Sequence, residues 1–519
     1  MSNPIYSIFI AYGSESGHAE SLAYQLYQQD FLQSYDLSIA TLNDIDIANI
    51  HQNSLLIIIT STFGDGEAPE NAEDFLNKLE LFDRLPFRYS IFALGDASYD
   101  HFCGYGKQLD QIFQEKQAQT LIQRVDADLN FQDIFNQWQP LLQQSLSNLP
   151  SEPVQHNLSI QVYNENSTYT AKVLEIKHLA QSEPAVFHLT LDLQNSGIRY
   201  QAGDLLYVNV DNPDDLLALY AQWFNDAQAT VVLKNKELRV LNKNVLRAIA
   251  KLCQHEHLKE LLKISNKKAL EEYLYVHDLL DVLQDFDTEK HIQLNELVEI
   301  LANRTARAYS ISSCGKTHTE AVDLCIRQVG YHHQQRDYQG ITSCYLANLK
   351  PDNQVSVFVR SNPNFHLPEN INAPIIMIGA GTGIAPFIGF LQFIEQYTPS
   401  TNSYLFFGER YRQHDFLYET ELNQYLAANV LNGLFTAFSR DQTEKYYVQD
   451  ALLDQAELVW QLLEQGAYIY VCGSKNMGKA VDESLIYIAE HIGQQTYVDA
   501  FNNIIANLVS QGRLLKDLY

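Results

Sequence analysis

The stretch MIGAGTGIAPFIGF, residues 377–390, runs from an apolar strand-like segment through three glycines into a helix-like one. Such a turn leaves backbone N–H groups at a helix N-terminus, where a pyrophosphate can bind. Gly379, Gly381 and Gly383 are spaced G-x-G-x-G with Pro386 beyond, so the third glycine comes one position before that of the G-x-G-x-x-G dinucleotide fingerprint. The loop lies more than two-thirds of the way along a 519-residue chain. At about 100–200 residues per domain, the chain before it has room for several domains with their own cores.

From APIIMIGAG to the end, strand-like and helix-like segments alternate, which predicts a doubly wound parallel unit. The same alternation fills residues 5–147: IYSIFIAY, AESLAYQLYQQ, SLLIIITST, ENAEDFLNKLELF, YSIFALGD. Ligands of such sheets sit beyond the carboxyl ends of the strands. NLPSEPVQHN, with two prolines, reads as a linker. After it, YTAKVLEIKHL, AVFHLTLDL and GDLLYVNV alternate as strands of a small barrel. Between about 213 and 302, leucines and valines recur at three and four, as in helices. Strands resume at RAYSISS and QVSVFVR, so the helices form an insertion in the barrel domain.

Formal charge is −28, from 35 basic and 63 acidic residues. That argues against nucleic acid and anionic membranes as partners and favours basic protein surfaces. Residues 1–150 hold 6 basic and 20 acidic residues, a net −14, half the total. No apolar run approaches about 18 residues and the start lacks a leader pattern, so a soluble cytoplasmic protein is expected. Six scattered cysteines without a C-x-x-C pair suggest neither a disulfide framework nor a metal site.

AYGSESGHAESLA places a glycine- and serine-rich turn between strand and helix, with no P-loop lysine. TSTFGDGEAPENA and LGDASYDHFCGYGK end two further strands and carry Phe63 and Tyr99, two aromatics suited to the faces of a flat ring. RAYSISS offers Arg307, Tyr309 and Ser310 as a cation, a planar ring and a hydroxyl, and QGITSCYL opens a helix with a glycine. SRDQTEKYYVQD gathers Ser439, Arg440, Lys445 and Tyr447, two cations and two hydroxyls in an acidic protein, which suits a ribose 2′-phosphate.

Taken together, these loops resemble those of the diflavin reductases over nearly the whole chain. VDADL, LPENINAPIIMIGAGTGIAPF, SRDQTEKYYVQD and the terminal DLY are most similar to the flavoprotein subunits of bacterial NADPH sulfite reductase. The resemblance implies an α/β multidomain protein. It has a flavodoxin-like doubly wound FMN domain (1–147), a linker (148–167), an antiparallel FAD-binding β-barrel (168–212 and 303–368) with an inserted helical domain (213–302), and a ferredoxin-reductase-type α/β NADPH domain (369–519). It implies Ser14, Ser16, Gly17, His18 and Ala19 around the FMN phosphate, and Thr60, Thr62, Phe63, Gly64, Gly95, Tyr99, Phe102 and Asp128 near its ribityl chain or ring. For FAD it implies Arg307, Tyr309 and Ser310, with Gly340, Ile341, Thr342 and Ser343 on the pyrophosphate and Cys325 and Arg327 flanking the adenine side. Gly381, Thr382 and Gly383, with Ser439, Arg440, Lys445 and Tyr447, are implied to hold NADPH. Tyr519 is implied to stack on the FAD ring, and Ser310, Cys472 and Asp517 to position the reacting atoms. The expected acceptor is a haem protein, the sulfite reductase haemoprotein subunit. A free-standing reductase for a haem monooxygenase or other redox carrier, and a non-catalytic flavin-binding redox sensor, remain alternatives. The family lacks the membrane anchor of microsomal relatives, and no extension precedes the first strand, so no contact through one is expected.

Overall fold

A computed structural model describes residues 4–519 except 65, 97–100, 129–130, 157, 159–162, 334–335, 369–370 and 372. It folds into two compact units, residues 1–164 and 165–519.

The first unit is built on a parallel sheet. Its strands are β1 (Ser7–Gly13), β2 (Asp36–Thr41), β3 (Ser54–Ser61), β4 (Arg88–Leu94), β5 (Gln119–Thr120) and β6 (Val125–Ala127). They lie in the order β2-β1-β3-β4-β5, with β6 also on β4, the doubly wound flavodoxin-like order. Seven of the eight residues of β3 are buried, as a strand covered by helices on both faces requires. The loops after β1, β3 and β4 converge at the carboxyl edge, beside the switch in strand order between β1 and β3.

The second unit holds two sheets. β7 (Tyr169–His178), β8 (Val186–Asp192), β9 (Leu205–Asn209), β10 (Arg307–Ser310) and β11 (Ala321–Arg327) precede a hairpin of β12 (Gly330–His333) and β13 (Arg336–Gln339). With β14 (Gln354–Arg360), the strands other than the hairpin make an antiparallel sheet in the order β10-β9-β14-β7-β8-β11. Its edge strands meet at an Ile311–Leu324 bridge, so this pair rather than a continuous ladder joins the two edges. Between β9 and β10 a run of helices, among them 214–224, 243–253, 267–276, 279–286 and 294–300, buries Tyr220, Leu246, Leu270, Leu283 and Leu297 in a core of its own. β15 (Ile375–Ala380), β16 (Ser403–Glu409), β17 (Gly433–Phe438), β18 (Tyr468–Gly473) and β19 (Leu514–Leu518) form a parallel sheet ordered β17-β16-β15-β18-β19. The carboxyl ends of β15 and β18 therefore flank its switch point. No helix among the described residues is long and apolar enough to cross a membrane.

The hairpin is tied to the helical insert by buried charge. Asp278 is 1% exposed and accepts from Arg239 at 2.5 Å and Arg336 at 2.7 Å, while Asp281 takes Arg336 at 2.8 Å and the Tyr338 hydroxyl at 2.9 Å. Removing one partner of such a network strands the others in low dielectric. Asp278→Ala is expected to lower unfolding stability by about 3–5 kcal/mol, read as a fall in Tm with loss of FAD from the purified protein.

Candidate functional site

In the first unit, Gly17, with φ 84°, stands at the start of the helix 18–27 and no side chain caps it. Its first N–H groups are thus left for a ligand, as phosphate sites use them. Among the described residues, the Ser14 Oγ is buried without a partner, and so is the Thr62 Oγ1. Two orphaned hydroxyls at converging strand ends fit a phosphorylated polyol, since a buried polar group left unpaired is costly. Ser16 contacts the His18 ring at 3.1 Å, and that ring lies 5.1 Å from Phe131. Ala19 is buried. Thr60 donates to the Ser61 carbonyl, and Asp128 is half-buried. Phe63 is half exposed and Gly64 turns at φ 54°, so the Phe63 ring is open to a planar partner. Phe102 is different: it is 3% exposed and packs against Gly95, so its ring supports the loop from the core instead of offering a face. Tyr99 lies outside the described residues. Ser14→Ala is expected to weaken FMN binding by roughly tenfold, the worth of one charge-assisted hydrogen bond, with FAD content unchanged in the flavin assay.

In the second unit a groove of about 880 Å³ runs from the helical insert past β10 and the helix 341–347 to the C-terminus. Arg307, Tyr309, Ser310, Gly340, Ile341, Thr342 and Ser343 line it. Arg307 is held by Glu237 at 3.4 Å, and burial raises the Tyr309 phenol well above its usual range. The Ser343 hydroxyl is engaged locally, accepting from Val329 N–H and donating to the Gly340 carbonyl. Sequence reasoning missed three lining groups. Arg304, three residues before Arg307, reaches Thr342 Oγ1 at 3.4 Å, and Arg239 adds a third cation to this end. Tyr331 stacks on Tyr338 with centroids 4.8 Å apart and planes at 5°, and is 41% exposed. Cations for a diphosphate beside an exposed aromatic platform fit a flavin adenine dinucleotide.

At the far end three elements meet. β19 runs beside β18 with Asp517 paired to Cys472, and β10 brings Ser310 opposite. The Ser310 hydroxyl donates to Asp517 Oδ2 at 2.7 Å, and the Cys472 thiol reaches the same oxygen at 3.8 Å. Burial, with the Asp517 charge second, pushes the Cys472 thiol well above its ordinary pKa, so it stays protonated at neutral pH. Tyr519, 60% exposed, meets Thr382 through its hydroxyl at 3.1 Å, and its N–H donates to the Gly473 carbonyl.

A second pocket, about 380 Å³, lies over the carboxyl ends of β15, β16 and β18 and is lined by Gly381, Glu409, Arg410, Ser439 and Tyr447. Gly381 takes φ 58° in the loop. A Cβ on Gly383 would lie 2.1 Å from the Cys472 carbonyl, so this glycine permits close approach of loop and strand. Arg440 and Lys445 are exposed beside the pocket and do not line it, while Ser439 and Tyr447 do. Cys325 and Arg327 also line the FAD-type groove. Cys325 is buried there, and Arg327 pairs with Glu409 at 2.6 Å, at the edge of the nucleotide pocket.

Comparison with known proteins agrees with this division of sites. Residues 10–138 match the flavodoxin family, 238–345 the FAD binding domain and 377–483 the oxidoreductase NAD-binding domain. The chain is 32% identical over 540 residues to the sulfite reductase (NADPH) flavoprotein alpha-component of Bacillus subtilis (strain 168), covering 99% of this chain and 89% of that protein. The like-named proteins of Vibrio parahaemolyticus and Shewanella oneidensis are 34% and 32% identical over 99% of this chain, and 87% and 90% of theirs. At 32–34% identity over 99% of its length, this chain belongs to the family of sulfite reductase flavoprotein alpha-components.

Proposed function

We propose that this chain is an NADPH-dependent diflavin reductase that feeds a haem protein, the sulfite reductase haemoprotein subunit. The observation that carries the reading is the meeting of Ser310, Cys472 and Asp517 on one carboxylate oxygen, at the end of a dinucleotide groove and beside a second nucleotide loop. When bound, FAD supplies hydride acceptance from NADPH and FMN supplies one-electron delivery to the acceptor.

The chain's own groups prepare that chemistry. Asp517 holds the Ser310 hydroxyl and the protonated Cys472 thiol as oriented donors at the groove's end. Tyr519, whose hydroxyl meets Thr382, would stand where the nicotinamide must come. A residue that must leave before substrate enters also keeps water from the site. Arg239, Arg304 and Arg307 would hold the FAD diphosphate, and Tyr331 would carry its adenine. Ser439 and Tyr447, with Arg440 and Lys445, take the 2′-phosphate. The domain limits of this reading are those the resemblance implies, with 148–167 as the tether of the FMN domain.

The net −14 of residues 1–150 suits docking to a basic acceptor. The test is reconstitution with the haemoprotein subunit. NADPH-driven reduction of its haem should fall steeply as salt is raised, because steering by exposed charge is screened beyond about 10 Å at 0.1 M. Haem reduction that is absent at all salt concentrations would refute the proposed acceptor.

A further inference from the structure

Arg327 and Glu409 come from different sheets, and their pair forms the wall between the groove and the nucleotide pocket. Their side chains are 23% and 5% exposed, and the N–O distance is 2.6 Å. A Cβ on Gly381 would lie 3.3 Å from the Glu409 carboxylate and 3.4 Å from the Arg327 guanidinium, so the pair is packed directly against the diphosphate loop. The backbone carbonyl of Glu409 also accepts from Ser439 N–H at the 2′-phosphate end. Around Glu409 stand Arg327 on β11, the adjacent Arg410 at 3.5 Å, the fully buried Asp415, and the Cys325 thiol. Arg410 is shared with Asp415 at 3.5 Å. Two carboxylates and two guanidiniums therefore balance, and loss of Arg327 leaves one uncompensated negative charge against a loop built to receive an anion.

We propose that Arg327 is a positioning residue for the nicotinamide nucleotide: by neutralising Glu409 against Gly381 it keeps buried negative charge away from the diphosphate, so that NADPH affinity depends on the pair. The inference rests on the nucleotide-site reading above. An arginine on the FAD strand thereby serves the substrate of the neighbouring sheet.

The test uses the full-length holoprotein and measures FAD content together with the Kd of NADP⁺ by calorimetry. Arg327→Met, which keeps the apolar stem, should weaken NADP⁺ by about tenfold or more in protein that carries FAD. The double variant Arg327→Met/Glu409→Gln should recover most of that loss, since no uncompensated charge remains. In Arg327→Met alone, binding should improve as pH falls, because burial and the lost cation both favour the protonated Glu409. Wild type and the double variant should lack this limb. Should Arg327→Met fail to fold, Glu409→Gln carries the test: Arg327 is then unneutralised and NADP⁺ should bind several-fold tighter. Loss of NADP⁺ affinity in Arg327→Met without rescue by Glu409→Gln, or an unchanged or weaker Kd in Glu409→Gln, overturns the proposal. Wild-type protein that binds no NADP⁺ would instead overturn the nucleotide-site reading itself.

Discussion

Asp517→Asn slows flavin reduction by NADPH by about 100-fold or more, within the range expected when an oriented proton-holding group is disabled, while both flavins stay bound. The carboxylate accepts from Ser310 at 2.7 Å and from Cys472 at 3.8 Å. An amide can still turn its carbonyl oxygen to both donors, but it lacks the negative charge that makes those hydrogen bonds charge-assisted. Because β19 is fixed to β18 by its ladder, the backbone does not relax to absorb the change. Stopped-flow bleaching of the flavins against NADPH concentration separates the two possibilities. A lowered limiting rate with unchanged Kd places the loss in the hydride step, whereas a wild-type limiting rate would remove Asp517 from the reacting centre. Ser310→Ala/Cys472→Ala should fall to a similar rate, since the three groups act as a unit and their effects do not add.

The second large effect is on nucleotide choice. Arg440→Ala/Lys445→Ala should lower the preference for NADPH over NADH by about 100-fold, as two charge-assisted hydrogen bonds at about 1.5 kcal/mol each require. Both cations are exposed on the segment that also brings Ser439 and Tyr447 to the pocket. NADH kinetics should hardly change, because NADH has no 2′-phosphate to lose. Comparing kcat/KM for the two nucleotides in wild type and variant checks this, and an unaltered ratio would move the 2′-phosphate elsewhere.

Much of this was legible in the sequence for physical reasons. Alternating apolar strand and helix segments leave few topologies for residues 5–147 and 373–519, and the glycine-rich turns mark where backbone must approach a phosphate. The terminal DLY could be placed only through the family resemblance, and the β18–β19 register then brings Asp517 beside Cys472. What could not be read was whatever depends on burial or long-range register. Phe63 and Phe102 look alike as aromatics after strands, yet only Phe63 is exposed. Arg327 reads as one more cation near RAYSISS until β11 is seen to carry it to Glu409, 82 residues on. The same holds for Asp278 and Arg336, a buried pair 58 residues apart with no local signal. Tyr331 left a faint trace as an aromatic in GYHH, but its use depends on stacking with Tyr338 across the hairpin.

The most direct test of the central claim is to release and quantify the flavins of the purified chain, then follow flavin bleaching in the same preparation with NADPH and with NADH. The account predicts one FMN and one FAD per chain, bleached by NADPH in strong preference to NADH. A single flavin per chain, or no bleaching by either nucleotide, would contradict it.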